Sequence, residues 1–159
     1  MITIGSEAHK QLFCRAFLEA HRRYEPEQLA WPVLDDAALA LLRGLPFWTQ
    51  ALQAEEDAGP MIAACAQLEL DPLVREALDL QAYEESRHAR IIKHMIGLYG
   101  LTAGEIRVVI PADVTAGFID FGFEECLDSF GAFGLFKLAR EHLTIVPDPL
   151  FDIFDLVMQ

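Results

Sequence analysis

Apolar residues recur every three or four positions in each long segment of the chain, which is the spacing of one face of an α-helix. No convincing run alternates apolar and polar residues as a half-buried strand does. The pattern therefore predicts an all-α protein. The first helix should cover residues 6–21. A loop with two prolines over residues 24–32 should separate it from a short helix that Asp35 or Asp36 caps and that ends at Arg43.

The middle of the chain predicts two long helices joined by a short turn. The first should cover residues 46–68, because the proline at its start suits a first helical turn. Gly59 and Pro60 lie inside this span and favour a kink or an early end. The second should cover residues 72–99, because Asp71 followed by proline is a strong start signal and a glycine follows the last periodic residue.

Two further helices are predicted after a connector over residues 101–115. The connector contains the β-branched stretch 108–110, which favours an extended segment without a sheet. The next helix should cover residues 116–142. Asp148 and Pro149 then repeat the start signal and begin a last amphipathic helix, which has about three turns when the sequence ends.

Composition restricts the class of protein further and leaves the all-α prediction unchanged. The chain has 159 residues, 53% hydrophobic content and a mean hydropathy of +0.24, which fits a single compact domain. We expect residues 1–44 to form an N-terminal helical extension and residues 45–159 to form the main bundle. The three cysteines are odd in number and lie in apolar stretches, so they fit reduced core thiols better than a disulfide framework or a zinc site.

Charge and hydropathy restrict the partners. Twenty-five acidic against twelve basic residues give a formal net charge of −13, which repels nucleic acid and anionic lipid surfaces. No apolar run reaches the length of about 18 residues that a bilayer span requires, and the amino terminus lacks a signal-peptide pattern. We therefore expect a cytoplasmic protein with neither a nucleic-acid nor a membrane partner.

Glu85 and His88 form a Glu-x-x-His motif in the helix predicted over residues 72–99. Their spacing places them about 60° apart around the helix and about 4.5 Å apart along its axis, on the side that carries the apolar residues. Both side chains can reach one metal ion. A motif this short also arises by chance, so by itself it fits a surface pair equally well.

Two further glutamates lie among apolar residues of the neighbouring helices. Glu55 lies in the helix before the motif, and Glu125 lies among phenylalanines in the helix after it. An unpaired buried carboxylate costs several kcal/mol, so a shared cation is the simplest explanation for these positions. The adjacent Glu56 and Glu124 remain alternatives as ligands.

Glu55, Glu85-x-x-His88 and Glu125 on three successive helices resemble the site of the ferritin-like di-iron carboxylate superfamily. The pattern of that superfamily is Glu, Glu-x-x-His, Glu, Glu-x-x-His. The resemblance implies an antiparallel four-helix bundle in which these four residues bind two iron ions, or manganese in their place. The second Glu-x-x-His is absent from this sequence, which leaves three carboxylates and one histidine.

Three segments extend the resemblance, namely residues 84–90, 125–130 and 154–159. They are similar to bacterial ferritin-like proteins, mostly of undetermined activity, and the similarity covers roughly residues 45–159. In those relatives the last segment runs directly into the second Glu-x-x-His. We therefore expect the last bundle helix to be incomplete here and the natural protein to continue. A degenerate site, or ligands supplied by a second copy, are the alternatives.

The resemblance implies a non-haem di-iron oxidase or oxygenase that uses O2. We expect Phe121, Phe130 and Phe133 to form a dry wall beside the site, which favours a small apolar substrate. Iron binding or storage by the same ligands is one alternative. A metal-free helical interaction module, with its glutamates protonated or paired with Arg87 or Arg90, is another. A homodimer is compatible with these interpretations.

Overall fold

The structure is a computed structural model that describes residues 2–157, and every regular element within this range is helical. The predicted all-α class is therefore confirmed. Met158 and Gln159, which close the segment 154–159 discussed above, lie outside the described part of the chain. Between residues 2 and 157, no helix has both the length and the apolarity that crossing a bilayer requires. The helices are α1 (Glu7–Ala20), α2 (Asp36–Gly44), α3 (Trp48–Leu68), α4 (Pro72–Tyr99), α5 (Val114–His142) and α6 (Asp148–Val157), with a 3-10 turn at Pro26–Gln28.

Capping side chains set the starts of four helices, and the cap of α5 is Asp113, which accepts a hydrogen bond from the backbone N–H of Ala116. Ser6 accepts a hydrogen bond from the backbone N–H of His9 in α1, and Asp35 accepts one from Ala38 in α2. Asp71 accepts two from the first turn of α4. Such caps satisfy donors that have no partner inside the helix, and each contributes about 1 kcal/mol. Of the two aspartates predicted as the cap of α2, the structure uses Asp35.

α3 begins at Trp48, two residues later than the sequence pattern predicts. Pro46 and Phe47 form a turn before it. The reason is a buried hydrogen bond of 2.8 Å from the indole Nε1 of Trp48 to the backbone carbonyl of Leu42, which ties the start of α3 to the end of α2. Pro60 does not end α3, since the helix continues beyond it for about two turns.

The connector between α4 and α5 contains no strand, and side chains of α3 pair with its backbone instead. Thr49, Gln53 and Asp57 lie one turn apart along α3, so they form a row beside the connector. Their hydrogen bonds satisfy backbone groups that a neighbouring strand would otherwise pair with. The partners, at 2.7–3.1 Å, are the backbone groups of Gly104, Arg107 and Val109.

α3 and α4 form an antiparallel pair, and their interface positions the candidate site. Glu56 of α3 pairs with Lys93 of α4, whereas Gly59, further along α3, contacts Ser86, which comes earlier in α4. The short link over residues 69–71 imposes this direction.

A buried cluster joins α2, α3, α4 and α6 at one end of the molecule. Trp48 and Met95 lie at its centre, 3% and 1% exposed. Burial of large apolar side chains contributes about 1.5–3 kcal/mol each, so this cluster is a main source of stability. The remaining buried members are Leu34, Ala38, Leu42, Tyr99, Leu101, Val146, Leu150 and Phe151.

α5 differs from the other long helices because none of its residues is buried. Its apolar residues are spread around the whole circumference and do not form one stripe. Phe130 is 83% exposed and Phe133 is 48% exposed, so the expected dry wall of Phe121, Phe130 and Phe133 is wrong. Of these three phenylalanines, only Phe121 packs against the core of α3 and α4, together with Phe118. The last turns of α5 instead contact α6, where Phe136 stacks on Phe154.

Candidate metal centre

Three of the predicted ligands meet at the interface of α3 and α4. Glu55 projects from α3, and Glu85 and His88 project from one face of α4. The Nδ1 atom of His88 lies 3.2 Å from Oε2 of Glu85 and 3.6 Å from Oε2 of Glu55. One ligand atom from each side chain lies within 4.8 Å of the other two. When two ligand atoms each lie about 2.0–2.2 Å from one metal ion, the distance between them is similar to the distances found here. All three side chains can therefore bind the same ion.

Gly59 allows α3 and α4 to approach closely beside this cluster. A Cβ atom on Gly59 would clash with the hydroxyl of Ser86 and lie 3.2 Å from the backbone carbonyl oxygen of Ala82. Gly59 follows Glu55 by one turn, and Ser86 directly follows Glu85. The close approach of the helices therefore brings the two carboxylates together.

The three side chains are largely withdrawn from water, and this changes their pKa values. Glu55 is 18% exposed, Glu85 is 13% exposed and His88 is 8% exposed. Burial raises the pKa of Glu55, an effect that His88 opposes and Glu85 reinforces. Burial lowers the pKa of His88, but hydrogen bonds to Glu55 and Glu85 outweigh it, so the pKa of His88 rises. The metal-free cluster therefore holds protons at neutral pH.

Arginine or lysine does not neutralise this cluster within residues 2–157. No such side chain lies within 4.0 Å of the carboxylate oxygens of Glu55 or Glu85. Arg87 instead contacts Glu84 at 3.4 Å, and Arg90 pairs with a glutamate outside the site. The pairing of buried glutamates with Arg87 or Arg90, one of the alternatives raised by the sequence, does not match these contacts.

The acidic residues adjacent to the predicted ligands have other partners. Glu56 pairs with Lys93 on the surface of α4. Glu84 lies 2.8 Å from Nδ1 of His21, which follows the end of α1. The structure therefore brings Glu55, rather than Glu56, to the cluster.

Glu125 on α5 lies near the cluster without joining it. Burial raises its pKa to about 7, and the charges of Glu85 and Glu55 add to the effect. Its carboxylate is not among the ligand atoms that lie within 4.8 Å of one another. Glu124, the alternative that the sequence left open, is exposed. Glu125 is therefore an outer carboxylate of the site.

The chemistry of the donors fits one divalent cation. Two carboxylates and a neutral imidazole together carry a charge of −2, which a divalent ion cancels. Mixed nitrogen and oxygen ligands suit Fe(II), Mn(II) and Zn(II). Binding would displace the protons that the metal-free cluster holds. Ferritin-like two-metal sites use four carboxylates and two histidines, so Glu125 alone does not complete a second position.

The N-terminal extension forms a wall next to the site, which the sequence pattern did not indicate. His21 pairs with Glu84, and the guanidinium of Arg87 lies 3.9 Å from the ring centroid of Tyr24. These side chains and His88 surround a cavity of about 310 Å³. The two residues of each pair lie about sixty positions apart in the sequence, so local spacing does not indicate that they are in contact. The only signal was the concentration of aromatic and basic residues after α1.

Comparison with known proteins does not identify a family. No protein-family model, no curated protein and no solved structure matches this chain. The features that bear on its class are the helical fold and the cluster of Glu55, Glu85 and His88.

Proposed function

We propose that this protein is a non-haem iron carboxylate protein of the ferritin-like type, an O2-dependent oxidase or oxygenase that acts on an apolar substrate. The observation that carries the proposal is the buried cluster of Glu55, Glu85 and His88, which has no lysine or arginine partner within residues 2–157. Without a metal, protons on the cluster compensate its buried carboxylates, as the raised pKa values of Glu55 and His88 indicate. A divalent ion bound by all three side chains would take the place of these protons.

The neighbour relationships of the last four helices support a ferritin-like bundle. α3 packs against α4 and α5, and α6 also packs against α4 and α5. Neighbour relationships of this kind are the ones that a four-helix bundle would have, and they support the proposed arrangement. The candidate ligands come from three of the four helices and project inward, as in the metal sites of such bundles.

Each side chain has a distinct role in this proposal. Glu55 and Glu85 hold the ion from two helices, so its position depends on the α3 and α4 interface. His88 binds through Nδ1, the nitrogen that faces both carboxylates. Glu125, whose pKa is raised in the metal-free chain by burial and by the charges of Glu85 and Glu55, lies beside the proposed ion as an outer carboxylate. When bound, Fe(II) would supply one electron for O2 reduction, and the organic substrate, which is oxidised, would supply the others.

Oxygen uptake after anaerobic loading with Fe(II) tests the proposed function. The native chain should oxidise bound Fe(II) when O2 is admitted. Glu55→Gln should slow this oxidation by about a hundredfold, because the ion loses a direct ligand. Glu56→Gln is the matched control and should react at the native rate, since Glu56 pairs with Lys93 outside the site. Equal rates in both variants, or no oxidation in the native chain, would contradict the proposal.

Iron storage is a second candidate function, and the exposed surface of α5 favours it. Large apolar side chains such as Phe123, Leu127 and Phe130 are 70–83% exposed there, which suits contacts between copies of the chain. Storage predicts a large assembly that accumulates many irons per chain, whereas the enzyme should saturate at about one. Sedimentation velocity combined with iron analysis separates these outcomes.

A further inference from the structure

A second cavity, of about 390 Å³, lies between α1, α4 and α5. Its volume falls within the range of about 300–1,000 Å³ that is typical of small-molecule sites. Apolar side chains of all three helices form most of its walls, and they include Phe13, Cys14, Phe17, Ala77, Leu78 and Phe118.

The charged groups that line or border this cavity already have partners. Lys10 forms ion pairs with both Glu7 and Asp71. The Nδ1 atom of His9 accepts a hydrogen bond from the backbone N–H of Gly5. One lysine between two carboxylates leaves no excess positive charge for a carboxylate or phosphate ligand. The cavity therefore favours a neutral ligand, which enters apolar surroundings without the cost of burying a charge.

Gln81 connects this cavity to the candidate metal centre. Gln81 lines the cavity, and a glutamine side chain has one acceptor and two donors for an occupant. Gln81 precedes Glu85 by four residues, so the two side chains share one face of α4 and lie about 6 Å apart along its axis. An occupant that reaches Gln81 therefore ends about one helical turn from the metal ligand.

We propose that this cavity binds a neutral, largely apolar small molecule and that α1 serves as one of its walls. The wall is positioned at both ends, since Lys10 pairs with Asp71 and His21 pairs with Glu84. The proposal that the cavity binds such a molecule does not depend on a metal. The additional proposal that this molecule is the substrate of the metal centre rests on the function proposed above.

A pair of fluorescent probes with the same aromatic skeleton tests the ligand class on the metal-free chain. N-phenyl-1-naphthylamine is neutral, and 1-anilinonaphthalene-8-sulfonate carries one negative charge. The neutral probe should bind about tenfold more tightly than the sulfonate, because the cavity does not compensate an anion. Equal affinity, or tighter binding of the sulfonate, would overturn the proposal.

A cavity-filling substitution tests the location. Ala77→Trp places a large side chain inside the cavity and should weaken binding of the neutral probe about tenfold or more. Ala54→Trp is the matched control, because Ala54 is an exposed alanine of α3, and it should bind the probe as the native chain does. Undiminished binding by a folded Ala77→Trp chain would place the probe elsewhere and overturn the proposal.

The cysteines provide a measurement that needs no substitution. Cys14 lines the cavity, whereas Cys126 is exposed on α5, beside the apolar side chains that could bind the probe non-specifically. The bound neutral probe should slow alkylation of Cys14 by iodoacetamide about fivefold or more and leave Cys126 unchanged. Protection of Cys126 without protection of Cys14 would contradict the proposed site.

The same experiments separate this inference from the proposed function. If the probe binds at Cys14 in a chain that fails to bind iron, the cavity is retained as a ligand site and the iron chemistry is rejected. Iron binding without probe binding at Cys14 would retain the metal site and reject the cavity.

Discussion

Gly59 on α3 and Ser86 on α4 lie so close together that one added methyl group on Gly59 would overlap the Ser86 hydroxyl. Glu55 lies one turn before Gly59, and Glu85 directly precedes Ser86. The separation of the two helices at this contact therefore controls the separation of the two carboxylates. In the metal-free chain, helix packing holds the candidate site together.

The first prediction concerns this contact. Gly59→Ala should lower the free energy of unfolding by about 1–3 kcal/mol, because the added methyl group overpacks the interface, and it should also weaken metal binding. Gly97→Ala is the control, because a Cβ atom there meets no other atom within 4 Å. It should raise the free energy of unfolding by about 0.5–1 kcal/mol, as alanine is the better helix former. Urea denaturation measures both changes, and equal effects of the two substitutions would contradict the packing argument.

The second prediction is that the metal-free protein loses stability as the pH rises from about 5 to 9. The pKa of Glu125 is raised from 4.5 to about 7, the pKa of Glu55 is also raised, and the pKa of His88 is raised from 6.5 to about 9. The folded chain therefore holds more protons than the unfolded chain throughout this range, and its stability decreases as they are lost.

The expected loss is on the order of 3 kcal/mol between pH 5 and 9. Urea denaturation in chelator-containing buffers at several pH values measures it. A divalent metal should reverse the slope over the same range, because the ion requires deprotonated ligands and binds only the folded chain tightly. Stability that rises with pH in the metal-free protein would contradict this account of the cluster.

The third prediction distinguishes Glu125 from its neighbour Glu124. Glu125→Gln should weaken metal binding by about 10- to 100-fold, the range typical of outer groups that tune a metal site. It should also stabilise the metal-free chain above pH 7, because a half-buried carboxylate is removed. Glu124→Gln should change neither property, since Glu124 is exposed. Titration calorimetry measures the affinity, and a larger effect at Glu124 would reject the assignment.

Much of the helical framework could be predicted from the sequence, because local chemistry determines it. The start of α4 follows from Asp71 and a proline, and its end follows from Gly100, which adopts a left-handed conformation with φ of 61°. Glu85 and His88 share one face of α4 because of helical geometry alone. Their convergence with Glu55 also followed from the short link that joins α3 and α4.

The sequence did not reveal the surroundings of α5 and α1. Phe130 and Phe133 have the spacing of a buried face, but periodicity does not specify whether a neighbouring helix lies beside that face. The cavity near Cys14 depends on where α1 docks, and that is determined by pairs such as Lys10 with Asp71, which are distant in sequence. Long-range contacts of this kind leave no periodic signal.

The most direct measurement is the number of Fe(II) ions bound per chain in anaerobic equilibrium dialysis. The native chain should bind about one Fe(II), because one donor set of two carboxylates and an imidazole is assembled. His88→Ala should lose this ion. His94→Ala should retain it, since His94 stacks on Trp31 away from the cluster. An absence of bound Fe(II) in the native chain, or equal binding by the two histidine variants, would contradict the account.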